Sequence, residues 1–331
     1  MRLKRILLKD DGQPSLAIFH ENAWVPLRPV FAQAGRTPSP EEDRLATDMV
    51  ALLQTGPDFR HYLEGLVRAY VSSHPGQAGF VDETPLLPFE PRSYRDFMLY
   101  ERHAVDAARG YTRRFMPLAY RVATLYETIT GKTFPPFRPK PLWYRRPVYY
   151  MGNHLNFVTD GHAVAFPPYS TALDYELELG CVLVQPLKDA TPKEALAAMG
   201  GFAVFNDFSA RDVQLAEMRS GLGPAKAKHF VNAVSSVVVS ADEILPHVDA
   251  LRAEVRINGR VVVKTSTAGM HFSLGEAVAF ASLGEQLFPG EFVATGTLPG
   301  GSGMENGSWP QRGDTVAIAI EKVGTLTNPI V

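Results

Sequence analysis

The sequence predicts an α+β fold dominated by β-structure, in which a small β-rich N-terminal domain precedes a larger one. Short apolar runs of strand character outnumber helical ones and come in turn-linked pairs. Asn258-Gly259, between residues 251–257 and 261–264, is a strong signal for a tight hairpin. Such runs suit a mainly antiparallel sheet with helices packed outside it. Residues 84–91, Thr-Pro-Leu-Leu-Pro-Phe-Glu-Pro, form a stiff, extended connector, which sets the boundary near residue 88 and divides the chain into 1–88 and 89–331.

The N-terminal part reads as a β-meander over residues 5–8, 16–19 and 23–27, with a turn at Asp11-Gly12. Pro26 has no N–H for a ladder and places the third strand at an edge. Ser39-Pro40-Glu41-Glu42 is a helix start with a capping serine and proline at the first helical position. Helical spacing continues to about Tyr70, interrupted near Gly56-Pro57. Beyond the connector, residues 93–109 read as one helix, on which Asp96 and His103, two turns apart, share a face. Residues 118–130 read as a second helix, and residues 134–147, dense in proline and aromatics, as irregular structure. A short helix opens at Thr191-Pro192 and ends at Gly200-Gly201, a strand over residues 202–205 leads to Asp207, and a helix capped by Ser273 runs to Ser282. Strands at 237–240, 292–297 and 314–320 complete the sheet.

The 331 residues are 45% apolar and 21% charged, which excludes wholesale disorder, and the formal net charge of −2 gives no reason to expect nucleic acid or an anionic membrane as partner. No apolar run approaches the roughly 18 residues of a membrane span. The basic, then apolar N-terminus is cut short at Lys9-Asp10-Asp11-Gly12, too soon for a signal peptide. The single Cys181 reads as a small buried hydrophobe, and the expected location is cytoplasmic.

Chemistry concentrates around residues 173–180, Leu-Asp-Tyr-Glu-Leu-Glu-Leu-Gly, whose alternation is that of a strand. Period two puts Glu176 and Glu178 on one face, about 7 Å apart, and Tyr175, Leu177 and Leu179 on the other. The pair is either a solvated face or, if buried, a site where basic partners or a cation relieve the repulsion. Asp96, Glu176, Glu178 and Asp207 are together the all-oxygen ligand set of a hard divalent cation, although only the fold could unite residues so far apart. His103 is either a surface histidine or a general base, with Glu305 able to orient it. Arg211 and Gln214, on one helical face four and seven residues after Asp207, join Lys228 as donors for a carboxylate or enolate; the alternative is a helix start capped by Asp207 with Arg211 in solvent. No nucleophile elbow, phosphate loop, dinucleotide fingerprint or zinc spacing is present.

In combination these segments resemble the fumarylacetoacetate hydrolase family. The matching elements are Asp96-Phe97 with His103, residues 174–178, residues 206–214 (Asn-Asp-Phe-Ser-Ala-Arg-Asp-Val-Gln), Leu222-Gly223-Pro224 with Lys228, and Gly296-Thr297. They follow the family's order over roughly residues 89–331. The resemblance implies a mixed β-sandwich roll behind a small N-terminal domain, assembled as a homodimer. It implies that Asp96, Glu176, Glu178 and Asp207 hold Mg²⁺, or Ca²⁺ or Mn²⁺ in its place. It further implies that His103 paired with Glu305 deprotonates water, that Arg211, Gln214 and Lys228 stabilise the oxyanion, and that Thr297 lines the substrate site. The activity implied is metal-dependent hydrolysis of a C–C bond in a β-diketo acid of acylpyruvate or fumarylacetoacetate type.

The chain departs from the family's namesake at Met98 and Met218, where tyrosines contact substrate; a thioether cannot donate those hydrogen bonds. This favours a related diketo acid over fumarylacetoacetate. Residues 143–150, with His154 and Asn156, either shape that pocket or pack at a dimer contact. The same site would serve a 2-keto acid decarboxylase of oxaloacetate type, a hydratase or an isomerase, and a keto-acid binding module without turnover is a further alternative.

Overall fold

Arg2–Leu7 (β1), Pro14–His20 (β2) and Ala23–Pro26 (β3) form the expected meander in the computed structural model, which describes residues 1–32, 37–74 and 84–331. Among the described residues β3 pairs with β2 alone, and Pro26 lies opposite Ala17 at the sheet edge, where its missing N–H breaks no ladder. Among the described residues the helices Leu27–Phe31 (α1), Pro40–Leu45 (α2), Met49–Gln54 (α3) and Pro57–Ser73 (α4) follow. Ser39 and Glu42 close a capping box at the start of α2, and the Gly56-Pro57 break separates α3 from α4.

The next segment corrects a sequence expectation. Tyr94–Phe97 is a strand, β4, and the helix begins only at Glu101, as Glu101–Phe115 (α5), followed by Pro117–Thr130 (α6). Asp96 and His103 therefore share no helical face. All four residues of β4 are buried, hydrogen-bonded in register on one side to Phe292–Ala294 (β15) and on the other to Tyr149–Met151 (β5). A strand buried on both faces shows no polar alternation, so the local pattern does not betray it.

Phe157–Val158 (β6), Leu173–Asp174 (β7) and Leu177–Leu183 (β8) lead to Pro192–Ala197 (α7) and Met199–Asn206 (β9). Gly200 and Gly201, expected to end α7, lie instead within β9. A Cβ on Gly200 would sit 2.1 Å from Val184 Cγ1 and one on Gly201 2.6 Å from Val238 Cγ1, so close side-chain approach requires both glycines. Ser209–Ala210 (β10), Arg211–Arg219 (α8), Asn232–Val234 (β11), Val237–Ser240 (β12) and Ala241–Ile244 (α9) come next. The Asn258-Gly259 hairpin, with φ of +50° and +76°, joins Arg252–Ile257 (β13) to Arg260–Ser266 (β14). Leu274–Ala281 (α10, capped by Ser273), Gly303–Asn306 (α11), Thr315–Ile320 (β16) and Gly324–Pro329 (β17) complete the elements.

One large sheet runs β3-β2-β1-β12-β9-β8-β15-β4-β5, with β11 and β6 branching from β9, and a second runs β14-β13-β16-β17. Among these strands pairing is antiparallel except between β15 and β4 and between β11 and β6. The N-terminal meander is thus hydrogen-bonded into the large sheet, where β1 meets β12. β9 is buried on both faces: Phe202 and Val204 join Val255, Ile318 and Leu326 of the second sheet, while Ala203 and Phe205 join Leu52, Leu63 and Val67 of the N-terminal helices. Cys181 is buried in the first of these clusters. The fold is α+β and dominated by its sheets, with the central strands shielded on both sides.

Candidate active site

Three carboxylates meet at the ends of neighbouring strands. Asp96 comes from β4, Glu178 from β8 and Asp207 from the residue after β9, and one oxygen of each lies within 4.8 Å of the others. As the alternation of residues 173–180 required, Tyr175, Leu177 and Leu179 face the opposite way, into the core. Tyr94 Oη donates to Asp96 Oδ2 at 2.8 Å and Tyr150 Oη to Asp207 Oδ2 at 2.7 Å. Thr297 Oγ1 donates to Glu178 Oε1 at 3.3 Å, and the Asn232 amide, turned to donate, lies 2.9 Å from Asp207 Oδ1. Asp96 Oδ1 and Glu178 Oε2, both buried, find no hydrogen-bond partner among the described residues.

The electrostatics point the same way. Burial, followed by the charges of neighbouring carboxylates, pushes the Asp96 and Glu178 carboxyls well above their ordinary range, and burial raises Asp207 too. Among the described residues one cation, Lys228, touches the triad, and it is shared: Nζ donates to Asp207 Oδ2 at 2.5 Å and also to Glu176 Oε2. Unpartnered buried oxygens in a cluster short of positive charge fit a hard divalent cation. Oxygens on opposite sides of an ion bound at about 2.4 Å are about 4.8 Å apart, and the three carboxylate oxygens lie within that span of one another. An all-oxygen donor set of this kind suits Mg²⁺, Mn²⁺ or Ca²⁺.

Glu176 stands apart from that triad. Besides Lys228 it accepts from Arg211 Nη2 at 2.7 Å. Burial alone would raise its carboxyl, but Arg211 and Lys228 hold it well below the usual carboxylate range. Arg211, buried at 1% exposure, is a hub: Nε donates to Asp174 Oδ2 and Nη1 to Gln214 Oε1, each at 2.9 Å. Arg211 opens α8 itself, and Ser209 and Ala210 before it pair with β7, so helical spacing from Asp207 does not apply. Asp207 is not the cap either; that position belongs to Ala210.

His103, on α5, places Nδ1 3.0 Å from Glu305 Oε2 and Nε2 4.0 Å from Glu176 Oε1. Burial disfavours its cationic form, but the Glu305 and Glu176 carboxylates outweigh this and raise its pKa above the ordinary imidazole value. Glu305 is fixed by the capping box of α11, where Oε2 accepts from Ser302 N and Oγ and Oε1 from Gly300 N at 2.8 Å. Gly110, two turns after His103 on the same face of α5, lets the two helices close. A Cβ there would lie 1.8 Å from the Met304 carbonyl oxygen. Asp174 ties the parts together, accepting from Gly303 N at 2.8 Å and Met304 N at 3.0 Å while holding Arg211.

A cavity of about 670 Å³ opens over this centre. Of the candidate residues, Asp96, Met98, His103, Glu176, Glu178, Arg211, Gln214, Met218, Lys228 and Thr297 line it, and Asp207 and Glu305 adjoin it through Lys228 and His103. Tyr149 and Tyr150 line it as well, and buried Trp143 donates Nε1 to the Met98 carbonyl at 2.6 Å. His154 and Asn156 are not among its walls; Asn156 Nδ2 instead donates to the His229 carbonyl at 2.5 Å. Sequence reasoning gave no role to Tyr94, Asn232, Gly110 or Asp174. Period-two alternation would have found Asp174 beside Glu176 and, had residues 94–97 been read as a strand, Tyr94 beside Asp96.

Fold and site together define a sheet-dominated protein built around a buried carboxylate centre suited to a divalent cation. Residues 126–331 match the family described as fumarylacetoacetate (FAA) hydrolase, C-terminal. The chain belongs to this fumarylacetoacetate hydrolase family. It is 32% identical over 173 residues to the mitochondrial oxaloacetate tautomerase Fahd2a of Rattus norvegicus, an alignment covering 51% of this chain and 54% of the relative. The chain thus spans about half the length of the curated relatives it matches. It shares its fold with 2-hydroxyhepta-2,4-diene-1,7-dioate isomerase from Mycobacterium marinum, at 21% identity and a TM-score of 0.61 over 100% of this chain and 98% of that one. Fumarylpyruvate hydrolase from Pseudomonas aeruginosa, solved with Mn²⁺ and pyruvate, matches at 20% identity and a TM-score of 0.55 over 76% of this chain and 98% of that one. Among the described residues no helix is long and apolar enough to cross a membrane.

Proposed function

We propose that this chain is a metal-dependent hydrolase of a C–C bond in an acylpyruvate-type β-diketo acid. The observation that carries the reading is the His103–Glu305 pair, with Nδ1 3.0 Å from the Glu305 carboxylate and Nε2 4.0 Å from Glu176 Oε1, in a cavity that His103 and Glu176 both line. Asp96, Glu178 and Asp207, with Glu176 beside them, would hold the divalent cation, which when bound supplies a Lewis acid for the keto oxygens of the substrate.

The remaining roles fall to the protein's own groups. Glu305 facing Nδ1 favours the tautomer with its proton there, which leaves Nε2 free to take a proton from water. The hydroxide so formed adds to the distal acyl carbonyl carbon. The bond from that carbon to the methylene then breaks, the electron pair remains on the pyruvate fragment as its enolate, and the imidazolium returns the proton to carbon. The products are a carboxylic acid and pyruvate. Arg211, held by Asp174 and Glu176, offers a fixed guanidinium edge to the developing oxyanion, with Gln214 and Lys228 beside it.

A second reading, keto–enol isomerisation of a 2-keto acid, is favoured by the oxaloacetate tautomerase relative, and the same base could move that proton. The deciding experiment incubates the protein with acetylpyruvate, benzoylpyruvate and oxaloacetate, with Mn²⁺ or with chelator, and identifies products by mass and enol absorbance. Metal-dependent conversion of an acylpyruvate to two acids supports hydrolysis. Faster enol decay of oxaloacetate without cleavage of any acylpyruvate supports isomerisation, and CO₂ release from oxaloacetate marks a decarboxylase.

A further inference from the structure

We propose that the acyl group of the substrate is uncharged and apolar, an alkyl chain of several carbons or an aryl ring, seated in an outer arm of the cavity between α5 and residues 134–137. The inference rests on the acylpyruvate reading and specifies which acylpyruvates.

The cavity is far larger than its charged end requires. About 670 Å³ is the size of a site for a drug-sized ligand, whereas a pyruvate unit has only six heavy atoms. The extra volume lies where α5 turns Ala104, Ala107 and Ala108 to the cavity, three small residues on one helical face. Phe134, Pro136 and Phe137 also line it. The alanines leave space and the rings give it an apolar wall. Met98 and Met218 line the cavity too, and neither can donate a hydrogen bond to a polar acyl group.

Charge distinguishes the inner end from the outer. Arg211 and Lys228 are already bonded to Asp174, Glu176 and Asp207 around the centre. Among the described residues lining the cavity away from the centre, the one charged side chain is Arg219, exposed on the last turn of α8. A carboxylate at the far end of the acyl group would therefore be buried without a buried cation, an unfavourable transfer from water, unless it reached Arg219. An apolar chain gains from the same surroundings, by about three- to fourfold in binding per fully buried methylene.

The test measures kcat/KM of the Mn²⁺-loaded protein on acetylpyruvate, hexanoylpyruvate, benzoylpyruvate and a six-carbon acylpyruvate ending in a carboxylate. The expected result is at least a tenfold preference for hexanoylpyruvate over both acetylpyruvate and its acid-ended counterpart. Ala108→Leu and Ala104→Leu, made separately, should each lower the hexanoyl-to-acetyl ratio at least tenfold. Equal rates across chain length, or a preference for the acid-ended substrate, would overturn the assignment and move recognition to Arg219. Calorimetric binding of pyruvate, 2-oxooctanoate and 2-oxooctanedioate to the wild-type protein needs neither turnover nor a variant. If no acylpyruvate is cleaved but 2-oxooctanoate binds at least tenfold more tightly than the other two, the hydrolase reading fails and the apolar arm stands. If none of the three binds, or 2-oxooctanoate has no advantage, the arm assignment fails.

Discussion

Gly110→Ala tests whether the approach of α5 to α11 sets the proposed base. The added Cβ would lie 1.8 Å from the Met304 carbonyl oxygen and 2.8 Å from its carbon, where ordinary contact starts at 3.4 Å. Both contacts are backbone, so no side chain can swing away and the helices must part by about 1.5 Å. His103 lies on the same face two turns earlier, so its separation from Glu305 grows from 3.0 Å to about 4.5 Å if the helix moves as a body. A displacement of this order at a catalytic group lowers kcat by about 10²-fold, and the overpacking destabilises by about 1–3 kcal/mol. The assay is kcat on the best acylpyruvate together with a urea unfolding curve. Gly65→Ala serves as the control: it sits exposed on α4 with no described residue within 4 Å of an added Cβ, so it should gain about 0.5–1 kcal/mol and keep its kcat. A Gly110→Ala protein with wild-type kcat and stability, or a crystal structure of it with the 3.0 Å contact intact, would refute the reasoning.

His103→Ala should lower kcat by about 10²- to 10⁴-fold while equilibrium dialysis still finds Mn²⁺ bound, because the histidine is outside the carboxylate triad; full activity would remove the proposed base. Glu178→Gln relieves the repulsion that raises the buried carboxyls, so without metal it should unfold no more easily than wild type. At an Mn²⁺ concentration a hundred times its Kd, wild type should gain about 2.7 kcal/mol and the variant little, and an equal gain in both would break the ligand assignment. Asp212 holds residues 170 and 171 against α8, accepting from Ser170 Oγ at 2.6 Å and Thr171 N at 2.8 Å. Partial burial would raise its carboxyl, but these bonds outweigh that and hold it below the ordinary value. Its contribution is therefore present above the unfolded pKa of about 4 and lost as pH falls through the folded one. Asp212→Asn should cost about 1 kcal/mol at pH 7 and converge with wild type in acid, and a gap that stayed constant with pH would contradict this.

Much of the site could be read in the chain because strand alternation is a local signal. Glu176 and Glu178 share a period-two face, Tyr175, Leu177 and Leu179 fill the other, and the apolar run before Asp207 is a strand whose end delivers the acid. The hairpin at Asn258 and the caps at Ser39 and Ser273 are equally local, since the turn or cap bond is made by residues at fixed offsets. What stayed hidden depends on partners distant in sequence. Tyr94–Phe97 is a strand because β15 and β5 pair with it, and the burial of Arg95 there is set by Glu285 and Glu291. Gly200 and Gly201 look like a helix stop until Val184 and Val238 are seen against them. Gly110 resembles any helical glycine until α11 lies across it.

The order of strands in the large sheet governs how a bound cation would act in time. The triad's oxygens come from β4, β8 and the end of β9, which lie in the sequence β9-β8-β15-β4, and β15 itself arrives from near residue 293. No short stretch of chain can assemble this centre, so the ion cannot template early folding; its cradle forms once distant strands have paired. Interactions made after the folding barrier leave the folding rate unchanged and slow unfolding. If the cradle closes after the folding barrier, the cation would lengthen the lifetime of the folded chain without hastening its arrival, and a protein without it would reach the same fold at the same rate but leave it sooner.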